Sequence, residues 1–296
     1  MTLEILVAEP WDDYALLDSG DGGKLERYGP FRFIRPEPQA LWSPATPDWH
    51  ADGEFVGGSE EEGGGRWNLS PQVPPSWPLQ RGALRFHAAN TNFRHLAFFP
   101  DMAVHWDWMA ARLGPGASVL NVFGYTGVGS LACAAAGASV THVDASKKAV
   151  ASAQANAALS GLADAPIRWL TDDAMKFVAR EVRRGKRYDG IVLDPPKYGR
   201  GPDGEVWELY RDLPALVRAA RALMDADSRF LVLTVYAVRM SAVAIREFVA
   251  EAFADLGGTI SAGEMTIREA ARGRLLPTAI YVRWEQSGID KNNHIG

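Results

Sequence analysis

The chain has 296 residues, 47% of them apolar, and a formal net charge of −5. This length and apolar content allow one large domain or two smaller ones, and the lack of an apolar run of about 18 residues excludes a membrane-spanning helix. The first ten residues, MTLEILVAEP, carry acidic side chains where a signal peptide needs basic ones, so we expect a cytoplasmic protein. The single cysteine, Cys133, excludes an internal disulfide and a cysteine-rich metal site, and we expect no metal.

Composition divides the chain near residue 90. Residues 1–90 hold 7 Lys and Arg against 14 Asp and Glu, a net of −7, whereas residues 91–296 hold 24 against 22, a net of +2. The first 90 residues also hold 10 of the 18 prolines and 5 of the 10 tryptophans. We therefore predict a small N-terminal module over 1–90, a second domain over 91–286 and a loose tail over 287–296.

Short alternating runs predict that the N-terminal module is rich in β-strands. The runs 14–17 and 24–28 flank SGDGG, which is typical of a β-hairpin. Further strand candidates are 31–35, 84–87 and 93–99. The sequence GGSEEEGGGR at 57–66 predicts a mobile polar loop between them.

Strand and helix patterns alternate from residue 102 onward, which predicts an α/β fold with a mostly parallel sheet. The strand candidates are 118–123, 139–143, 167–170, 188–193 and 229–235, and the helix candidates are 102–113, 128–136, 146–159, 173–184, 206–224 and 241–256. The last two strands, 259–267 and 278–285, have no helix between them. One of the two, taken to be the last strand, is therefore predicted to run antiparallel to its neighbours.

A glycine turn follows the first strand of this domain, in LNVFGYTGVGS at 120–130. Its glycines, Gly124, Gly127 and Gly129, have the spacing G-x-x-G-x-G, whereas a pyrophosphate-binding turn has G-x-G-x-x-G. The second strand ends at Asp144, where a carboxylate can accept both ribose hydroxyls of NAD or of S-adenosylmethionine (SAM). The third strand ends in Thr171-Asp-Asp-Ala, where a carboxylate suits an adenosine ligand without phosphates and favours SAM.

The fourth strand ends in Asp194-Pro-Pro-Lys-Tyr198. Prolines have a fixed φ and no N–H group, so the carbonyl groups of this turn are expected to be free to accept hydrogen bonds from a substrate amine. Asp194 could accept in the same way, and Tyr198 could stack on a flat base. This turn points to a methyl-accepting amine beside the cofactor.

These motifs together resemble the class I SAM-dependent methyltransferases that act on nucleic-acid bases, and in particular the large-subunit rRNA base methyltransferase family. The resemblance covers residues 92–285 and rests on NVFGYTG, on VDAS followed by Asn156, on TDDA and on DPPK. The segment FFPDMAVHWDWM at 98–109 is also similar to the one that this family places over SAM. The resemblance implies a Rossmann-like class I methyltransferase sheet, mostly parallel with its last strand antiparallel, behind a small N-terminal β module.

The resemblance also implies roles for individual residues. Asp144 would hold the ribose, Asp172 or Asp173 the adenine, and Asp194 would face the acceptor. The full set of candidate cofactor-binding residues is Phe99, Pro100, Asn121, Phe123, Gly124, Tyr125, Thr126, Gly127, Asp144, Ala145, Asp172, Asp173, Ala174 and Asp194. The candidate catalytic residues are Asp194, Pro195, Pro196, Lys197 and Tyr198.

The sequence departs from one branch of the family in lacking a cysteine after the fifth strand. Family members that methylate carbon 5 of cytosine carry a nucleophilic cysteine there, but this chain has LTVYAV at 233–238. Cys133 lies in a small-residue helix that is expected to pack on the sheet, and Tyr236 is interpreted as packing. Carbon 5 needs covalent activation, so we expect direct transfer to a ring nitrogen, an exocyclic amine or an atom outside RNA.

Four function hypotheses follow from these patterns. The first is methylation of a base in ribosomal RNA, supported locally by Arg200, Arg268, Arg272 and Arg274, which could meet phosphates at the rim of the site. The second keeps SAM but has a small molecule or a protein as acceptor. The third is an NAD-dependent oxidoreductase, and the fourth is an RNA-binding module without catalysis.

Overall fold

The structure is a computed structural model that describes residues 2–57, 65–236 and 238–287. Most of the predicted loop at 57–66 and of the predicted tail at 287–296 lies outside the described residues. Within the described part of the chain, no helix is long and apolar enough to cross a membrane.

The described chain contains seventeen strands, six α-helices and one 3₁₀ helix, Pro100–Met102. The strands are β1 (Glu4–Ala8), β2 (Tyr14–Gly20), β3 (Gly23–Tyr28), β4 (Phe31–Pro36), β5 (Gly53–Val56), β6 (Arg66–Leu69), β7 (Ser76–Arg81), β8 (Leu84–Ala89), β9 (Ser118–Val122), β10 (Ser139–Asp144), β11 (Ile167–Thr171), β12 (Gly190–Leu193), β13 (Tyr198–Arg200), β14 (Val206–Glu208), β15 (Phe230–Tyr236), β16 (Thr259–Arg268) and β17 (Leu275–Glu285). The helices are α1 (Ala103–Ala110), α2 (Val128–Ala135), α3 (Lys147–Leu159), α4 (Ala174–Arg183), α5 (Leu209–Arg221) and α6 (Ala242–Ala252).

Eight strands form one large sheet in the order β1-β16-β17-β15-β12-β9-β10-β11. Strands β9 to β12 and β15 pair in parallel, whereas β17 is antiparallel to both β15 and β16. The central strands β9, β12 and β15 are buried almost throughout, as expected of parallel strands that helices cover on both faces. The predicted α/β class and the antiparallel last strand are confirmed.

The helices that follow β10, β11 and β15 begin where a capping side chain precedes them. Ser146 accepts a hydrogen bond from Ala149 N at the start of α3, and Asp173 accepts one from Lys176 N at the start of α4. Ser241 caps α6 in the same way. These caps satisfy backbone N–H groups that a helix leaves unpaired, which explains why the predicted helix starts agree with the structure to within a residue or so.

Two predicted elements differ in the structure. Residues 93–99 do not form a strand, because Ala97 has a φ of +70° and its carbonyl accepts a hydrogen bond from Thr126 Oγ1. Residues 206–208 belong to the short hairpin of β13 and β14, so helix α5 begins only at Leu209. A side-chain hydrogen bond from elsewhere in the fold accompanies the first difference, and backbone pairing with β13 accompanies the second.

The N-terminal part of the chain forms a five-stranded sheet, β2 to β6, and a separate hairpin of β7 and β8. We call the five-stranded sheet the small sheet. Its predicted hairpin and the strands predicted at 31–35 and 84–87 are confirmed. Strand β1, however, pairs in parallel with β16 at the edge of the large sheet. The division of the chain at residue 90 stays a prediction, and the two parts share one buried core.

A buried charge network holds the small sheet together. Glu26 is fully buried and accepts hydrogen bonds from Arg35 and from the Tyr14 and Tyr28 hydroxyl groups. Arg35 also donates to the backbone carbonyl of Arg94, at 2.9 Å, and so connects the small sheet to the chain that enters the large one. Removing one partner of such a buried pair costs about 3–5 kcal/mol, because the remaining charge loses its compensation.

Candidate active site

Two adjoining cavities open at the carboxyl edge of the large sheet, where ligands bind in open α/β sheets. The first cavity has a volume of about 490 Å³ and the second about 540 Å³. Their linings share four residues, Arg94, His95, Phe99 and Tyr236.

The first cavity contains most of the residues that the sequence predicts. Its lining includes Phe99, Phe123, Tyr125, Asp144, Ala145, Asp172, Asp173, Ala174, Asp194, Pro195 and Pro196 from that set. They meet because Val122, Val143 and Leu193 lie side by side in the sheet, so the residues that follow them emerge at one edge. The lining also contains residues that were not predicted to belong to the site: Arg94, His95, Gly199, Gly201 and Trp207. Val143 and Ser146, which flank Asp144 and Ala145 in the VDAS motif, line the cavity as well.

The glycine turn, residues 123–127, forms one wall of the first cavity. Phe123 and Tyr125 have φ values of +60° and +48°, which non-glycine residues rarely adopt, so the turn is held by its surroundings. A Cβ atom on Gly124 would lie 2.4 Å from His142 Cε1, which leaves no room for a side chain. Gly127 has a φ of +82°, and a Cβ atom added to it would lie 2.7 Å from Ala153 Cβ. The glycines are therefore required by close packing beneath the turn.

Asp144 anchors that turn to the second strand of the domain. Its two carboxylate oxygens accept hydrogen bonds from the backbone N–H groups of Tyr125, at 2.9 Å, and Ser146, at 2.8 Å. Burial raises the pKa of Asp144, and these two hydrogen bonds offset part of the rise. The carboxylate keeps acceptor capacity toward the cavity, because each ionised oxygen can take more than one hydrogen bond.

The two aspartates after β11 have local partners as well as a place in the cavity lining. Asp172 forms an ion pair with Arg180, and Asp173 caps α4. Lys176 pairs with Glu205 and thereby connects α4 to the hairpin of β13 and β14 that closes the far side of the cavity. The adenine-binding role of Asp172 or Asp173 stays a prediction.

Asp194 lines the first cavity. The Thr234 hydroxyl donates a hydrogen bond to it from the neighbouring strand β15. A part of its surface is reachable from the cavity, but protein surrounds the carboxyl, and burial raises its pKa to about 7. The Thr234 hydrogen bond lowers that pKa in part, and the nearby Asp101 carboxyl raises it. Asp194 therefore changes charge near neutral pH.

The prolines after Asp194 are not equivalent. Trp207 Nε1 donates a hydrogen bond to the Pro196 carbonyl at 2.7 Å, so this carbonyl already has one partner within the protein, and its role toward a substrate stays a prediction. The Lys197 carbonyl likewise accepts from Leu209 N, at 3.1 Å. Asp194 is the charged hydrogen-bond acceptor of this turn, and it lines the first cavity.

Comparison with known proteins identifies the family. Residues 63–241 match the family model described as S-adenosylmethionine-dependent methyltransferase. A solved SAM-dependent methyltransferase from Agrobacterium tumefaciens is 45% identical, with a TM-score of 0.91, and the alignment covers 97% of this chain and 94% of that one.

The chain belongs to the SAM-dependent methyltransferases.

Other relatives of this methyltransferase agree in part of the chain or in the fold. A methyltransferase structure from Streptococcus mutans shares the fold at 16% identity, with a TM-score of 0.70 over 92% of this chain and 75% of that one. The ribosomal RNA large subunit methyltransferase I of Shewanella denitrificans is 44% identical over 91 residues, which is 30% of this chain and 23% of that protein. The match therefore spans about a quarter of the length of that curated relative.

The first cavity of the methyltransferase fits SAM. The cofactor has an adenosine part without phosphates, and the cavity offers carboxylates after β10 and β11 but no helix-borne phosphate cradle of the G-x-G-x-x-G type. The NAD-dependent alternative is excluded by the family. We propose that Asp144 holds the ribose and that the walls formed by Phe99, Tyr125 and Ala145 enclose the rest of the cofactor.

Several predicted cofactor-binding and catalytic residues of the methyltransferase do not line the first cavity. The Asn121 side chain donates to Ser130 Oγ beneath α2, at 2.9 Å, and Thr126 is turned toward the Ala97 carbonyl. Gly124 and Gly127 shape the turn without lining the cavity, and Pro100 and Lys197 line the second cavity instead. Tyr198 is 67% exposed and lines neither cavity. Their assigned roles stay predictions.

The rim arginines are distributed differently from what the sequence suggested. Arg268 pairs with Glu9, and Arg272 pairs with Glu269 and Asp18 against the small sheet. The Arg274 guanidinium lies over the Trp42 ring, at 5.3 Å from the ring centroid. Of the four predicted arginines, Arg200 lines the first cavity.

Proposed function

We propose that this methyltransferase transfers the methyl group of SAM to a nitrogen atom of a base in ribosomal RNA, without a covalent intermediate. The observation that carries the proposal is the place of Asp194, a carboxyl with a pKa of about 7 in the wall of the first cavity, close enough to Tyr236, which lines both cavities, to raise the pKa of that tyrosine. SAM, when bound, supplies a methyl group on a positively charged sulfonium.

Asp194 acts as the acceptor of the nitrogen's proton. The carboxylate receives a hydrogen bond from an N–H group of the base, which aims the nitrogen lone pair at the methyl carbon. As the N–C bond forms and the S–C bond breaks, Asp194 takes the proton and the sulfur keeps the bonding electron pair. A pKa near the working pH suits a group that must accept a proton during the reaction and release it afterwards.

The only cysteine of the chain supports the non-covalent route. Cys133 lies in α2 with no exposed surface, and burial raises the pKa of its thiol to about 12. A thiol with that pKa is protonated at neutral pH and cannot add to carbon 6 of a pyrimidine. Methylation of carbon 5 therefore has no nucleophile, whereas methylation of a nitrogen needs none.

The ribosomal RNA acceptor rests on the curated relatives and on charge. Relatives from two further Shewanella species have the same printed name as the one from S. denitrificans, each at 44% identity over 91 residues. Arg94 and Arg200 line the first cavity and add positive charge that suits an RNA backbone. We place this activity in the cytoplasm, with ribosomal RNA as partner and without a membrane or a metal.

The test is methyl transfer from labelled SAM to ribosomal RNA purified from a strain that lacks the gene. The RNA is digested to nucleosides, and the labelled nucleoside is identified by mass. We expect an N-methylated nucleoside with the wild-type protein and none with Asp194→Ala. A labelled 5-methylpyrimidine would contradict the non-covalent route, and unlabelled RNA with a protein that binds SAM would remove RNA as the acceptor.

A small-molecule acceptor is the second candidate, because the small sheet closes the second cavity on one side. Lys24, Glu26 and Arg35 of that sheet line the cavity. A cavity of about 540 Å³ has the size of a small-molecule site, for which volumes of about 300–1,000 Å³ are typical. The same labelled SAM, supplied with a metabolite extract instead of RNA, tests this candidate.

A further inference from the structure

The second cavity lies between the small sheet and the edge of the large sheet that is formed by the carboxyl ends of β15 and β16 and the start of β17. Strands β3 and β4 of the small sheet and the loop after β4 contribute a wall that contains Lys24, Glu26, Arg35 and Glu37. The opposite wall comes from the 3₁₀ helix and from the start of β17, with Thr278 and Ile280. Because the cavity joins the first one at Phe99 and Tyr236, a molecule in it faces the cofactor.

Asp101 is the unusual group in this cavity. The residue is 3% exposed, it lines the second cavity, and its Oδ2 atom has no hydrogen-bond partner among the described residues. The Tyr236 hydroxyl beside it also lacks a hydrogen bond of good geometry within that part of the chain. Burial raises the pKa of Asp101, and contacts of its carboxyl with Thr278 and Tyr236 lower that pKa in part. A carboxylate oxygen in a cavity wall that is not fully paired can accept a hydrogen bond from a ligand or from water.

The chemistry of the junction defines what the ligand presents there. Asp101 and Asp194 are acceptors when ionised and close enough for the charge of one to raise the pKa of the other. An N–H group of a ligand in the second cavity can meet Asp101, and one that reaches into the first cavity can meet Asp194. The Phe99 and Tyr236 rings, whose centroids are 5.3 Å apart, provide flat apolar surface beside them. A planar nitrogen heterocycle with an amino group combines these features.

We propose that the second cavity is the binding site of the methyl acceptor, that Asp101 accepts an N–H hydrogen bond from a planar amino heterocycle, and that the small sheet forms the outer wall of this site. This inference rests on the proposed function, since it names where and how the acceptor binds. The heterocycle is a nucleobase in a strand of RNA or a free molecule of the same chemistry.

The small sheet's wall suits the remainder of such a ligand. Lys24 pairs with Glu37 at 3.0 Å, and Arg35 pairs with Glu26, so two ion pairs of the small sheet reach the cavity. These paired groups offer both donors and acceptors to ribose hydroxyl groups. The small sheet therefore contributes to acceptor recognition, and the large sheet to the cofactor.

The experiment compares wild type with Asp101→Asn, Tyr236→Phe and Asp107→Asn, all as full chains. Asp107 is a matched control, because its carboxylate pairs with Arg81 at the surface and lines neither cavity. Calorimetry measures the affinity for S-adenosylhomocysteine, which reports the first cavity and the fold. Equilibrium dialysis in its presence then measures binding of cytidine, adenosine, guanosine and uridine, and the labelled assay measures transfer to ribosomal RNA.

We expect wild type, Asp101→Asn and Asp107→Asn to bind S-adenosylhomocysteine with the same affinity, whereas Tyr236→Phe changes a residue that lines both cavities and can also alter this affinity. We expect an amino nucleoside to bind wild type more tightly than uridine does, because uridine has one N–H donor in its base and the other three have an NH₂ group. Asp101→Asn should weaken that binding, and transfer to RNA, by about tenfold or more, and Tyr236→Phe by less, while Asp107→Asn matches wild type.

Two results would overturn the inference. In the first result, the Asp101→Asn variant binds and methylates acceptors as well as wild type does. The proposed function would still stand in that case if ribosomal RNA is labelled. In the second result, wild type binds no nucleoside, and Asp101→Asn transfers methyl groups to RNA as wild type does. Nucleoside binding that depends on Asp101, with ribosomal RNA left unlabelled, would instead support the inference, identify a free heterocycle as ligand and contradict the proposed function.

Discussion

The two cavities are built from different kinds of sequence. The first cavity draws mainly on residues that directly follow β9, β10, β11 and β12, each a few positions from the end of a buried strand. The second cavity draws on the small sheet, the 3₁₀ helix and the ends of β15, β16 and β17, which are up to about 250 residues apart. The difference is consistent with two separate roles. The first cavity, formed by local sequence motifs, binds the cofactor, and the second, formed by segments distant in sequence, is the one we propose for the acceptor.

The first prediction tests whether Asp194 belongs to catalysis and not to cofactor binding. Asp194→Ala removes the group that orients and deprotonates the acceptor nitrogen, so we expect kcat to fall by about 10²- to 10⁴-fold. The affinity for SAM should change by no more than a few fold, which calorimetry measures. Asp255→Asn is the control, because Asp255 pairs with Arg221 at the surface. Equal losses in SAM affinity and in kcat would show instead that Asp194 acts by binding the cofactor.

The second prediction concerns pH and the same carboxyl. The folded-state pKa of Asp194, about 7, is raised from 3.8, so the folded protein holds a proton that the unfolded chain has released between these values. The contribution of this group to stability is complete below about pH 4 and is lost as the pH rises through 7, by at most roughly 4 kcal/mol.

The measurement is thermal unfolding of wild type and Asp194→Asn from pH 5 to pH 8.5. We expect the asparagine variant to gain stability relative to wild type as the pH rises, and the kcat/KM of wild type to rise over the same range. Parallel curves for the two proteins would show that Asp194 does not titrate in this range.

The third prediction tests the packing beneath the glycine turn. Gly124→Ala places a Cβ atom 2.4 Å from His142 Cε1, so the turn or the ring must move. We expect a loss of about 1–3 kcal/mol in stability and weaker SAM binding. Gly129→Ala is the matched control, since Gly129 lies inside α2 and its added Cβ would be 3.7 Å from its nearest neighbours, Asn121 Nδ2 and Trp106 Nε1. Unfolding and calorimetry should find Gly129→Ala at least as stable as wild type.

The sequence predicted the first cavity better than the second for a physical reason. Asp144 and Asp194 follow strands whose apolar runs fix both their ends and their neighbours, so their meeting follows from the sheet alone. Tyr236 also follows a strand, but its interpretation as packing missed that it lines both cavities. The sequence places Asp101 in a segment similar to the one that lies over the cofactor. That its Oδ2 atom has no hydrogen-bond partner among the described residues depends on tertiary contacts, which the sequence pattern does not contain.

Local backbone paths were the other limit. Residues 93–99 alternate as a strand does, yet the φ of +70° at Ala97 and the Thr126 hydrogen bond hold them as an irregular cover that brings His95 to both cavities. Burial lowers the pKa of His95 to about 4, so its ring is neutral against Tyr125 at neutral pH. Hydrophobic periodicity carries no information about such tertiary contacts.

The last prediction has the smallest expected effect and concerns the ion pair between Lys176 and Glu205. This pair connects α4 to the hairpin of β13 and β14, which carries Gly199 and Arg200 of the first cavity. Exposed pairs contribute little because water and salt screen them, so Lys176→Met should leave the melting temperature nearly unchanged and change the KM for SAM by about twofold at most. Raising the salt concentration should reproduce that small change in wild type and not in the variant. A tenfold rise in the KM for SAM would show instead that the first cavity binds its cofactor only when this ion pair holds the hairpin in place. The hairpin would then be as necessary for the first cavity as the strand ends are.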